Sequence, residues 1–385
     1  MTSAPGDPLR GFPDDPELAG RARELLEKIA SQSRFAGSEG EKRARQLCST
    51  LLEAQGMTVS EREFAFSAFP GRYGAPLIGF LWLVTALLTR HLYLRHGGAG
   101  PAMAILIPGL AVSAALGKWL TRDGTARLRW MKSRSSNLIA SRGQPEIWLV
   151  AHLDSKSQTI PMIARISCLV AAAVAFALLA FSITLEWMGV SVHAGSGNSS
   201  TAPLLAVIAA VTTVPVILCL IRDTSPGAVD NASGVIAVIL ATTLLRSQAD
   251  LGVIFTSGEE LGLAGARAHV ETHTDRAIAI NCDTIDDGGR FLCMARRTSR
   301  GAATAAIVRA AKRVGLPLRV RGIIPGILAD SIAFADAGWD SLTLSRGNIA
   351  TLARVHTSSD TRERLDGAGI AQAAYLLAAT VEELG

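Results

Sequence analysis

Four long apolar runs interrupt a chain that otherwise alternates short apolar stretches with polar, helix-forming ones. They fall near residues 75–94, 101–120, 163–188 and 202–221. Each approaches or exceeds the roughly 20 residues that cross a bilayer as a helix. Arg90 ends the uncharged part of the first run early, whereas ISCLVAAAVAFALLAFSITL in the third carries no charge at all. A core helix of that length would normally show a polar stripe, and the third and fourth runs show none. The pattern predicts four transmembrane helices in two inserted hairpins, residues 75–121 and 162–221. An even number of crossings returns the chain to its starting side. Residues 21–74, 122–161 and 222–385 are therefore expected to build one domain on one face of the membrane. Residues 1–20 are rich in Pro, Gly and Asp and lack an apolar h-region, so they read as a mobile tail without a cleavable signal peptide.

Outside the runs, Ser38 and Glu41 have the spacing of a capping box, and a helix is expected through Leu47, Leu51 and Leu52 to Gly56. A β-rich stretch follows from Met57 to Phe66. The segments Glu146–Ala151, Leu251–Thr256 and Ala277–Asn281 read as buried strands. NASGVIAVILATTLLRS and residues 301–314, 328–337 and 367–384 read as helices. This alternation predicts an α/β domain with a largely parallel central sheet. Such domains gather their chemistry at strand C-termini, and His152, Glu259 and Asp283 all follow strands.

Composition sharpens the membrane reading. Of the 385 residues 49% are hydrophobic and only 18% charged, against about 25% charged in ordinary soluble domains. The net charge of +5 is concentrated in Lys118, Arg122, Arg127, Arg129, Lys132 and Arg134, just after an apolar run. A nucleic-acid surface could look like this, but the place of the cluster beside an apolar run favours juxtamembrane basic residues. The connector at 189–201 has no Lys or Arg, while Arg72, Arg165, Arg222 and the basic cluster lie on the domain side. The positive-inside rule then predicts an integral plasma (inner) membrane protein with its domain cytoplasmic. The five cysteines form no CxxC or disulfide framework.

Candidate chemistry lies in five short settings: His152 in AHLDS, Asp230 in GAVDNASG, Glu260 in TSGEELGLAG, Asp283 in NCDTID and His356 in RVHTSSDT. Two histidines and three carboxylates can hold two metal ions side by side, and Glu259 is left free as a base. In the strand-to-loop His-x-Asp, Asp154 is close enough to accept the other imidazole N–H. Each residue alone has a plainer reading. Asp230 could cap the following helix, Glu259 and Glu260 could sit in a solvated turn, and His356 could be structural. The adjacent carboxylates, however, end an apolar strand, where uncompensated charge is costly.

In this order, His-x-Asp, Asp-Asn, Glu-Glu, Asp and His resemble the di-zinc aminopeptidases, a family that also holds glutamate carboxypeptidase and glutaminyl cyclase. The resemblance extends to FAGSEGEKRARQLCSTLLEAQG, NLIA and ADSIAFADAGWDSLTL and covers the chain outside the hairpins. It implies a three-layer zinc-peptidase fold. It implies one zinc on His152 and Asp283, a second on Glu260 and His356, Asp230 bridging them, Glu259 as general base and Asp154 behind His152. Two Zn2+ per chain are expected, with Mn2+ or Co2+ as substitutes and no organic cofactor. The expected partners are short peptides and the lipid bilayer, without nucleic acid. The leading expectation is a membrane-anchored aminopeptidase. A carboxypeptidase or amidohydrolase on the same site, or a non-catalytic scaffold or receptor, stands as the alternative. Two departures are visible. The second hairpin separates His152 from Asp230, and no tyrosine lies between Asp283 and His356 to serve an oxyanion, leaving Arg346 or the second metal for that part.

Overall fold

The computed structural model describes residues 15–96, 98–190, 200–273, 276–296, 301–324 and 326–385. The chain divides into two compact units, one of Met1–Phe66, Lys132–Ser157 and Arg222–Gly385, the other of Ser67–Met131 and Gln158–Ile221.

The first unit is built on eight strands: β1 (Thr58–Ser67), β2 (Lys132–Arg142), β3 (Ile147–His152), β4 (Leu251–Thr256), β5 (Ile278–Ile285), β6 (Arg290–Ala295), β7 (Leu318–Gly322) and β8 (Asp340–Gly347). Their order in the sheet is β1-β2-β4-β3-β5-β8-β6-β7. The pairs β3–β4, β3–β5, β5–β8 and β6–β7 are parallel, and β2–β4 and β6–β8 antiparallel. Strand side chains alternate between faces, and both faces of this sheet are covered. Leu149, Ala151, Val253, Phe255, Ile280 and Cys282 join one core with helices Pro16–Ile29, Ser233–Leu244 and Ala368–Glu382. Val150, Ile254 and Ala279 join another with Ala266, Ala333, Phe334 and Trp339 on the opposite face. The central strands are therefore apolar on both sides, the signature of a buried parallel sheet.

Two local expectations are corrected. The predicted tail to residue 20 already contains a helix, Pro16–Ile29, with Asp15 accepting from the Leu18 amide at 2.9 Å and Pro16 in its first turn. Leu18, Ala22, Leu25, Leu26 and Ile29 form its buried stripe, so the Pro and Asp that suggested disorder are its start signals. The capping box at Ser38 is half formed. The Ser38 hydroxyl accepts from the Glu41 amide at 3.3 Å, but the fully buried Glu41 carboxylate turns to the Gly37 amide at 2.7 Å and the Ser135 hydroxyl at 2.8 Å.

The second unit holds the apolar runs. Helices Phe69–Arg95, Ala99–Arg127 and Met162–Trp187 are long and apolar enough to cross a membrane. The fourth run forms only the helix Ala202–Ile217, 16 residues. At ~1.5 Å per residue it is shorter than a ~30 Å hydrocarbon core. Phe80, Val112, Phe181 and Val211 are each more than half exposed, as lipid-facing side chains would be and as the surface of a soluble domain rarely is. The third run is not free of ionisable groups over its full span. Near its end Glu186 accepts from the Tyr93 hydroxyl and from the Ser200 hydroxyl, each at 2.5 Å, joining three segments of this unit.

His269 lies fully buried among Trp148, Phe334 and Trp339 and stacks on His273 with ring centroids 4.1 Å apart. Burial first, then the nearby His273 and Arg62 charges, push its pKa from 6.5 down to about 3. The unfolded chain therefore takes up this proton first. The stabilising contribution is complete above pH ~6.5 and is lost as pH falls from there toward 3, by up to ~1.4 kcal/mol per unit. Replacing His269 with Phe is expected to raise the melting temperature relative to the parent more at pH 5 than at pH 7.5. Scanning calorimetry at both values checks this, and a pH-independent difference would contradict it.

Candidate metal centre

His152, Glu260 and Asp283 meet because each lies at or near a strand end or in the loop just beyond. His152 ends β3, Glu259 and Glu260 follow β4, and Asp283 lies in the C-terminal half of β5. The neighbouring parallel register of these strands aligns them. Asp230 and His356 come from loops.

Asp230 is the hub. Its Oδ1 lies 3.1 Å from His152 Nε2 and its Oδ2 lies 3.0 Å from His356 Nε2. His152 Nε2 is 3.6 Å from Asp283 Oδ1, and His356 Nε2 is 3.1 Å from Glu260 Oε1. Two ligand sets result, His152–Asp230–Asp283 and Asp230–Glu260–His356, each with its ligand atoms within 4.8 Å of one another and all members buried. All five sequence candidates for metal binding are thus brought together, with Asp230 shared. The plainer reading of Asp230 as a helix cap is not what the backbone shows. Asp230 and Asn231 have non-helical torsions, joined by a cis peptide bond, and the regular helix begins at Ser233. Capping falls to Asn231, whose Oδ1 accepts from the Gly234 amide at 3.0 Å. Nor does the Glu259–Glu260 pair sit in a solvated turn, since both side chains are buried.

The surroundings hold these ligands in place. Asp154 does so differently from the expectation. His152 Nδ1 is 3.0 Å from the Asp154 backbone carbonyl, whereas its nearest carboxylate oxygen is 3.6 Å away. That carboxylate instead accepts from the Glu259 and Glu260 amides, at 3.2 and 3.1 Å, and so ties the β3 loop to the Glu-Glu turn. The turn itself depends on glycine. Gly258 has φ +69°, and a Cβ at Gly265 would meet the Ser257 carbonyl oxygen at 2.4 Å.

Four supporting residues were not singled out from the sequence. Asp360 accepts from the Val229 and Asp230 amides at 2.8 and 3.1 Å. The fully buried Arg34 guanidinium donates to the carbonyls of Leu153 at 2.8 Å and Gly227 at 3.0 Å, linking the loops of His152 and Asp230. Lys156 Nζ pairs with Glu260 Oε2 at 2.6 Å. Buried Asp330 accepts from the Thr256 hydroxyl beside these strand ends. Asp360 follows His356 in the same motif, RVHTSSDT, and that proximity was its one visible signal. Arg346, an oxyanion candidate, has its guanidinium 5.0 Å from the Phe291 ring centroid and donates to Gln372. Tyr375 donates to Asp15 at 2.8 Å. Neither is engaged with a ligand.

Electrostatics identify what the cluster needs. Burial, followed by Glu260, Asp283 and Asp330, holds the Glu259 carboxyl well above its ordinary range, with His152 opposing. Burial also raises Asp283, and lifts Asp330 and Asp360 to about 7. Although burial opposes it, the carboxylates, Glu259 foremost, raise His152, and Glu260 foremost raises His356. Asp230, Glu259, Glu260 and Asp283 thus crowd one buried space with Lys156 as the ammonium paired there. Among the described residues the nitrogen beside Glu260 Oε1 is His356 Nε2, at 3.1 Å. Uncompensated buried carboxylates are costly, and two imidazoles with three carboxylates are a donor set suited to zinc. The residues present fit the metal.

Proteins of known structure share this fold. Residues 192–381 match the description of Peptidase family M28, a range that takes in Asp230, Glu259, Glu260, Asp283 and His356 but not His152. None of the curated proteins searched matches the sequence. Among solved structures, the aminopeptidase of Aneurinibacillus sp. strain AM-1 aligns with TM-score 0.57 and 13% identity, covering 95% of this chain and 93% of that one. The zinc aminopeptidase of Bacillus subtilis aligns with TM-score 0.56 and 15% identity over 97% and 96%. The glutaminyl cyclase of Fimbriiglobus ruber aligns with TM-score 0.55 and 15% identity over 100% and 99%. At these identities the likeness is one of fold.

Because Asp230 serves both sets, Asp230→Ala is expected to remove more metal than a change in either set alone. Elemental analysis of purified protein should show Asp230→Ala close to metal-free and Asp283→Ala retaining about one ion. Equal retention in the two variants would contradict a shared ligand.

Proposed function

We propose that this chain is a membrane-anchored di-zinc aminopeptidase that removes N-terminal residues from short peptides. The observation that carries this reading is the pair of buried ligand sets joined at Asp230, with a carboxylate that belongs to neither beside them. His152, Asp230 and Asp283 would hold one zinc, and Asp230, Glu260 and His356 the other. When bound, zinc supplies Lewis acidity toward the scissile carbonyl and acidifies water.

The chain's own residues do the rest. Glu259, buried at the turn beside the ligands and outside both sets, accepts the proton of the attacking water. It then returns that proton to the leaving nitrogen. Asp154 fixes Glu259 through its amide, since the same carboxylate also holds the Glu260 amide and so locks base and ligand in one turn. Asp360 and Arg34 fix Asp230 through its amide and the preceding loop.

Membrane anchoring is supported by the three helices that are long and apolar enough to span. In this reading four crossings place the peptidase segments on the cytoplasmic face of the plasma (inner) membrane, and the fourth crossing extends the helix Ala202–Ile217 with apolar Leu218, Cys219 and Leu220. An amidohydrolase or cyclase reaction on the same residues is the alternative that the glutaminyl cyclase likeness favours.

Glu259→Gln removes the base while leaving the ligands. It is expected to lower kcat by ~10²–10⁴-fold, the usual contribution of general base catalysis, with unchanged zinc content. Aminoacyl amides and a glutaminyl peptide, assayed in parallel, check both the step and the reaction class. Full hydrolytic activity in the variant would refute the mechanism. Cyclisation of the glutaminyl peptide without release of N-terminal residues would move the assignment to a cyclase.

A further inference from the structure

The two ligand sets are not electrically alike. In the first, the ion-pair partner of Asp283 is His152, itself a ligand. In the second, the Glu260 carboxylate is divided between two tasks. Its Oε1 faces His356 Nε2 at 3.1 Å, while its Oε2 holds Lys156 Nζ at 2.6 Å. Lys156 also reaches the Glu260 backbone carbonyl at 3.4 Å. Both side chains are nearly out of solvent, 10% exposed for Lys156 and 3% for Glu260. At that distance and burial the ammonium is weakly screened and takes up much of the carboxylate's charge. It also repels any further cation on the same ligand. The ammonium is held at two points beside the ligand it would have to leave, since Lys156 lies only four residues beyond His152 on the loop that Asp154 ties down.

We propose that Lys156 is a positioning residue that makes Asp230–Glu260–His356 the weaker of the two metal sites, so that the pair fills in order with His152–Asp230–Asp283 first. Lys156 would do this by occupying Glu260 Oε2 and by neutralising part of the charge a metal would otherwise meet. This rests on the di-metal reading given above. A role in orientation alone would act in the opposite direction, since losing a residue that merely aims a ligand weakens metal binding.

The test is zinc titration of the full-length, detergent-purified, metal-stripped chain by calorimetry against a competing chelator. The parent is expected to bind two ions in separated steps. Lys156→Met, which keeps side-chain length and removes the charge, should tighten the second step by ~10–100-fold, an effect of the size charged neighbours have on metal sites, and leave the first step in place. Lys156→Arg, which keeps the charge, should keep the parent's separation. A second step that is unchanged or weaker in Lys156→Met overturns the proposal. A parent that takes up fewer than two ions overturns the di-metal reading, and this inference with it.

Discussion

The architecture depends on solving one electrostatic problem: Asp230, Glu259, Glu260 and Asp283 share a buried space whose paired ammonium is Lys156. Burial limits their solvation, and the sheet cannot move them apart, because parallel strands deliver Glu259, Glu260 and Asp283 to one edge where a loop brings Asp230. Several features around the cluster follow from that constraint. Two further carboxylates brace the loops that carry these groups: Asp360 accepts from the Val229 and Asp230 amides, and Asp154 from the Glu259 and Glu260 amides. The Arg34 guanidinium is spent on main-chain carbonyls and so braces the loops beside the ligands. The two histidines flank the Asp230 carboxylate, where the proposed cations would lie.

The aim of each ligand depends on how its loop is braced. His152 and Asp230 are separated in sequence by the segment 158–221, which belongs to the other compact unit. The ends of that insertion are nevertheless held within the peptidase-like unit. Ser155 donates to the Ser225 carbonyl at 3.0 Å, the Ser157 and Thr224 hydroxyls meet at 2.7 Å, and Arg34 links Leu153 to Gly227. A long insertion between two ligands costs little when its ends are closed in this way, because loop-closure entropy grows only slowly with length.

Much of this was legible in the chain. The two-sided apolar strands, the ligand settings at their ends and the Glu-Glu turn all use local patterns whose physical cause is local. What was missed depends on distant partners. Glu41 reads as half of a capping box, yet it is fully buried and bonded to Ser135. Asp154 reads as the orienter of His152, yet its carboxylate serves amides more than a hundred residues away. Arg34 and Lys156 look like ordinary surface charges until the fold buries them. The fourth apolar run shows the limit of composition, since its helix stops at Ile217 before the apolar residues end.

The central claim is that two cations complete the buried cluster on either side of Asp230. Diffraction data collected from zinc-loaded crystals on both sides of the zinc absorption edge test it most directly. The account predicts two anomalous peaks flanking the Asp230 carboxylate, one beside His152 and Asp283 and one beside Glu260 and His356. A single peak, or none at this position, would contradict it.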